Sequence, residues 1–108
     1  MGEVYIYPHP FTNNTYEKIW RDIINKNNNK DIEFVLMTNT IKYINAKEIF
    51  TRLDNILEKH KNDKIKLVAM GYAPIVSVCT YWAFVNQIDV VFWKQDRDGL
   101  AEYRISVD

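Results

Sequence analysis

Runs with β-type alternation and runs with a helical spacing of apolar residues take turns along this chain, and that order restricts its folds more than any other feature. Glu3 to Tyr7 sets Val4 and Ile6 on one side and Tyr5 and Tyr7 on the other, then stops at Pro8-His9-Pro10. From Tyr16 the apolar positions Tyr16, Ile19, Trp20, Ile23 and Ile24 recur at intervals of three and four. With Asn14 and Glu17 as a capping pair, they predict a first helix over 15–26. Ile32 to Met37 reads as the second strand, ended by the polar loop Thr38-Asn39-Thr40. Asn45 and Glu48, with Ile44 and Ile49 at staple spacing, open a second helix. Its stripe is Ile49, Phe50, Leu53, Ile56 and Leu57, and it ends near residue 61 in the run Lys59-His60-Lys61. Ile65 to Met70 is a third strand, Gly71-Tyr72-Ala73-Pro74 a turn, and Ile75 to Asn86 a third helix. Ile88 to Trp93 follows as strand, Gln95 to Gly99 as turn, and Leu100 to Val107 as an antiparallel edge strand.

The resulting order, β-α-β-α-β-α-β-β, predicts an α/β fold: a three-layer Rossmann-like or flavodoxin-like sandwich with a mostly parallel sheet and an antiparallel edge strand. Parallel neighbours require crossovers, and these are right-handed. One domain over residues 1–108 is expected. The chain is 47% hydrophobic with three Trp, seven Tyr and five Phe, enough to fill one core, which excludes disorder. Fourteen basic and fourteen acidic side chains cancel, so the global field that accompanies long nucleic-acid ligands is missing and a small or charge-balanced ligand is expected. Val68 to Val85 is apolar but broken by Gly71 and Pro74, so no membrane span is expected. The single cysteine, Cys79, and a start without a basic, then apolar, leader predict a cytoplasmic protein.

Ligands of doubly wound sheets bind beyond the carboxyl ends of strands where the strand order reverses, here between the first and third strands. Pro8 and Pro10 follow the first of these strands, and Gly71 and Pro74 follow the third. His9, stiffened by both prolines, is a candidate general acid or base, with Thr12, Asn13 and Asn14 as polar neighbours. The plainer alternative is a loop histidine packed on Phe11. His60, in its Lys-His-Lys run, reads as a solvated helix end. Gly71 allows backbone to approach whatever lies above the third strand, and free amides at the start of the next helix suit a phosphate. The alternative there is an ordinary strand-to-helix turn. No P-loop, G-x-G-x-x-G or metal-ligand spacing occurs, so no metal and no cofactor is expected. Cys79 reads as a small hydrophobe. The third helix is apolar almost all round, which predicts a homodimer through 75–86 that Asp at Trp82 or Phe84 would turn into monomers or aggregates, with core as the alternative place for one of the two. The alternative is a central helix covered by the last hairpin.

The segments Tyr7-Pro8-His9-Pro10-Phe11-Thr12 and Gly71-Tyr72-Ala73-Pro74-Ile75 resemble those of the small stand-alone ring nucleases of type III CRISPR systems. These are minimal relatives of CRISPR-associated Rossmann-fold (CARF) domains. In that family a first-strand loop of the form Ser-His-x-Leu-Thr and a later Gly-x-x-Ala/Pro turn line a pocket for cyclic oligoadenylate across a homodimer. His9 and Thr12 match the first motif, with Pro8 at its serine and Phe11 at its leucine; Gly71, Ala73 and Pro74 match the second. The resemblance implies metal-independent opening of a cyclic oligoadenylate, such as cyclic tetra-adenylate, by in-line attack of a ribose 2′-hydroxyl on its own phosphate. It assigns His9 and Thr12 to catalysis and Pro10, Asn13, Asn14, Asn39, Gly71, Tyr72, Ala73, Pro74 and Ser77 to ligand binding. Within that set, Ser77 and the helix amides would steady phosphate, and Asn13, Asn39 and Tyr72 would hold ribose or adenine. A non-catalytic dimeric sensor of such a ring, or of another small ligand, is the alternative; a structural module without ligand is a third.

Overall fold

In the computed structural model, residues 2–10, 30–36, 44–97 and 99–106 are described. Strand β1 (Glu3–Tyr7) pairs in parallel with β2 (Lys30–Phe34) on one side and with β3 (Lys64–Val68) on the other. Helix α1 (Ala46–Lys59) precedes β3, and helix α2 (Ala73–Val85) joins it to β4 (Asp89–Asp96), also parallel; β5 (Gly99–Ile105) returns antiparallel. The sheet order is β2-β1-β3-β4-β5. This is the α/β architecture with a mixed five-stranded sheet that the alternation of periods implies. The helix expected over 15–26 and the loop at 38–40 lie outside the described residues.

The side alternation read in β1 decides the two faces. Val4 and Ile6, with Leu67 and Val90, pack under Ile49, Leu53 and Ile56 of α1 and Ile75, Cys79, Trp82 and Ala83 of α2. Tyr5 and Tyr7, with Val68 and Val91, form a second buried cluster on the opposite face, flanked by Ile32, Phe34, Met70 and Trp93. Both faces of the central strands are therefore buried, as parallel strands require. The Lys66 side chain shares the second face, almost fully buried, with its ammonium 3.9 Å from Glu3, 3.8 Å from Glu102 and 5.6 Å from the Tyr5 ring centroid.

Boundaries shift where pairing overrides hydrophobicity. β2 begins at Lys30, two residues before the apolar run, because Lys30 and Asp31 already face Glu3 and Val4 in the ladder. Asn45 caps α1 as expected, its side chain accepting from Glu48 N–H at 3.1 Å. α2 starts at Ala73 rather than residue 75, since the proline-containing turn is itself its first turn.

Of the two residues named for the outer face of the third helix one is core, and the reading of His60 is corrected. Trp82 is 4% exposed and donates its indole N–H to Asp54 Oδ1 at 2.9 Å, so it belongs to the α1–α2 packing rather than to an outer face. His60 is not a solvated helix end: it is buried at the C-terminus of α1, with Nδ1 3.0 Å from Asp63 Oδ2 and Nε2 3.6 Å from Glu33 Oε1. Cys79 is a buried small hydrophobe, and burial pushes its thiol up to about 12.

Candidate functional site

β1 and β3 are neighbours, yet the chain leaves β1 towards β2 on one side and leaves β3 towards β4 on the other. The loops after these two strands therefore meet at the reversal of strand order, where a crevice forms in such sheets. His9 stands two residues beyond β1 and is 7% exposed. Its Nε2 accepts the Tyr72 backbone N–H at 2.8 Å, and its Nδ1 lies 3.0 Å from the Pro10 carbonyl oxygen. A backbone N–H can only donate and a carbonyl can only accept. The imidazole is therefore neutral with its hydrogen on Nδ1, and both ring nitrogens are engaged.

Gly71 explains how the ring fits. Its φ is +134°, and a Cβ built there would lie 2.6 Å from His9 Nε2. The group that approaches the glycine is the imidazole of His9 itself, a different occupant from the ligand expected above the third strand. A glycine is required for two independent reasons, backbone conformation and space. Pro8 reinforces the loop from the other side: it is fully buried, and its carbonyl accepts Leu36 N–H at 3.0 Å, tying the β1 loop to the exit of β2.

The amides at the start of α2 differ from the expected phosphate cradle. Tyr72 N–H is taken by His9, Pro74 has none, and Ile75 and Val76 N–H both return to Tyr72 O at 3.0 Å. The Ala73 N–H is the one left over among the first-turn amides. Ser77 donates its hydroxyl to Ala73 O at 2.9 Å, one turn into the helix. Tyr72, Ala73, Pro74 and Ser77 are all exposed around this loop, and Pro10 is half-buried. The structure thus brings His9, Pro10, Gly71, Tyr72, Ala73 and Pro74 together, with Ser77 on the adjoining turn. Thr12, Asn13, Asn14 and Asn39 lie outside the described residues.

None of the brought-together side chains carries a formal charge. Beneath them on the second sheet face, burial pushes the Tyr7 hydroxyl well above its ordinary range, with the neighbouring Trp93 opposing the shift. The Tyr5 ring meets Trp93 edge-on at 5.9 Å. The polar cluster of Tyr5, Lys66 and Glu102 is absent from the sequence reading; its signal was a lysine between Ile65 and Leu67 in a central strand. No helix among the described residues is long and apolar enough to cross a membrane. No family model and no curated protein sequence matches this chain.

Proposed function

We propose that the chain is a Rossmann-like domain that binds a cyclic oligoadenylate beyond β1 and β3 and opens it as a ring nuclease. The observation that carries this reading is the His9–Tyr72 hydrogen bond, which joins the two motif loops into one rigid rim at the switch point. Such a rim can hold a ribose and its phosphate in line, so that positioning accelerates 2′-hydroxyl attack without a protein nucleophile. In the resting arrangement His9 is a positioning residue. It becomes a general acid or base when the Tyr72 N–H turns from it to the ligand, and Thr12, Asn13, Asn14 and Asn39 complete the pocket.

The finer architecture belongs to the same proposal. β1 to β2 runs across the sheet in the direction opposite to β3 to β4. Right-handed crossovers then put the helix expected over 15–26 on the Tyr5 and Tyr7 face, away from α1 and α2, and complete three layers. The partner is a second copy packed on α2. That helix has no charged residue, and Tyr81 and Val85 on its outer side are each 63% exposed, with Phe84 beside them.

A second reading, a sensor that holds the ring intact, is favoured by the engagement of both His9 nitrogens. Incubation with radiolabelled cyclic tetra-adenylate, following retention and cleavage together, separates the two. Linear products support the nuclease, retained intact ring supports the sensor, and neither retention nor cleavage overturns both.

A further inference from the structure

We infer that β5 is a self-pairing edge: two copies join antiparallel through β5 across a two-fold axis at Tyr103, fusing their sheets into one. β5 is last in the strand order, and among the described residues nothing pairs with its outer side. Natural edges are blunted by proline, by a bulge or by charged side chains, lysine above all; the two charges of β5, Glu102 and Arg104, are opposite in sign, so a copy in the right register can pair with them rather than be repelled. β5 has no proline and no lysine, and it runs opposite β4 without interruption from Asp96↔Gly99 to Val90↔Ile105.

The occupant follows from the pattern of the strand itself. An antiparallel two-fold through Tyr103 sets Glu102 against Arg104 of the second copy and Arg104 against its Glu102. Opposite charges thus meet twice on one face, where like charges would repel. On the other face Tyr103 meets Tyr103, and Ala101 meets Ile105, a small residue against a large one. Tyr103 and Ile105 are exposed in the single chain, and Phe92 already stacks on Tyr103 with ring centroids 5.2 Å apart and planes within 9°. Pairing would extend that stack into a ladder of four rings, Phe92 and Tyr103 from each copy. A shift of register by two residues in either direction loses the reciprocal Glu102–Arg104 match. This surface is the lateral edge of the sheet, distinct from the outer face of α2, and the inference does not depend on the proposed function.

The test uses the Phe84→Asp background, so that contacts through α2 do not enter. Glu102→Arg and Arg104→Glu each place like charges opposite one another and are expected to sediment as monomers. Mixed in equal amounts, they restore both pairs in a heterodimer, doubling the mass. Because each variant also loses internal contacts of Glu102 with Lys66 or Arg104 with Asp89, a second measurement stands beside the first. Tyr103→Cys is expected to form a disulfide-linked dimer on mild oxidation while Arg97→Cys does not; Cys79 is buried and stays silent. A Phe84→Asp protein that is monomeric at high micromolar concentration, or equal cross-linking at both cysteines, overturns the pairing.

Discussion

The Nε2 atom of His9 accepts the backbone N–H of Tyr72 at 2.8 Å, a contact between residues 63 positions apart that clasps the loops of the two central strands. Loss of the acceptor leaves a part-buried N–H unsatisfied, so His9→Ala is expected to cost about 1–3 kcal/mol of stability, read from the denaturant midpoint. His9→Gln can return an acceptor without a titrating ring. If His9 also moves a proton in ring opening, the Gln variant regains binding of cyclic tetra-adenylate but remains about 10²- to 10⁴-fold slower in single turnover. Wild-type cleavage by His9→Gln would leave the residue a purely positioning role.

Gly71→Ala meets two obstacles, a positive φ and an imidazole nitrogen 2.6 Å from the new methyl carbon. The backbone term alone is about 1–3 kcal/mol. In a double-mutant cycle, His9→Ala removes the collision and leaves the φ cost. The double variant is therefore expected to be more stable than the sum of the singles, with a coupling of about 0.5–3 kcal/mol. Strict additivity in thermal or urea unfolding would show that the methyl group and the ring do not meet.

Trp82→Phe keeps most of the buried ring but gives up the bond to Asp54, which is exposed, so a loss of about 1 kcal/mol is expected. Trp82→Ala opens a cavity beneath α2 and should cost about 3–5 kcal/mol. Phe84→Asp, on the outer side, is expected to change sedimentation and leave the melting temperature nearly unaltered. The contrast separates the core side of this uncharged helix from its interface side.

Gly2 N–H, at 3.0 Å, and the His60 ring hold the Asp63 carboxyl below the usual carboxylate range. A carboxyl depressed on folding contributes stability that is whole above its unfolded value, about pH 4, and is lost as pH falls through the lower folded value. Asp63→Asn is expected to be less stable than wild type at neutral pH, with the difference narrowing below about pH 4. A constant difference across that range would mean that Asp63 acts through packing alone.

What is local could be read from the order of residues. Period-two and period-3.6 spacing set the order of strands and helices, the faces of β1 and the cap at Asn45, because each depends on residues a few positions apart. The strand order, and with it the meeting of the β1 and β3 loops, is the one expected of a flavodoxin-like sheet. Side-chain partners emerged with the packing of the elements. His9 sits in space that Gly71 leaves open, and the Tyr72, Ile75 and Val76 amides are already bonded within the protein. Trp82 and Phe84, two residues apart on one uncharged helix, differ because α1 covers one of them. His60, which reads in sequence as a solvated helix end, and Lys66 are buried beside carboxylates that other elements supply, Glu33 for the first and Glu3 and Glu102 for the second. Periodicity reports which side of an element faces inward, but the group waiting there comes from a distant part of the chain, and only folding brings the two together.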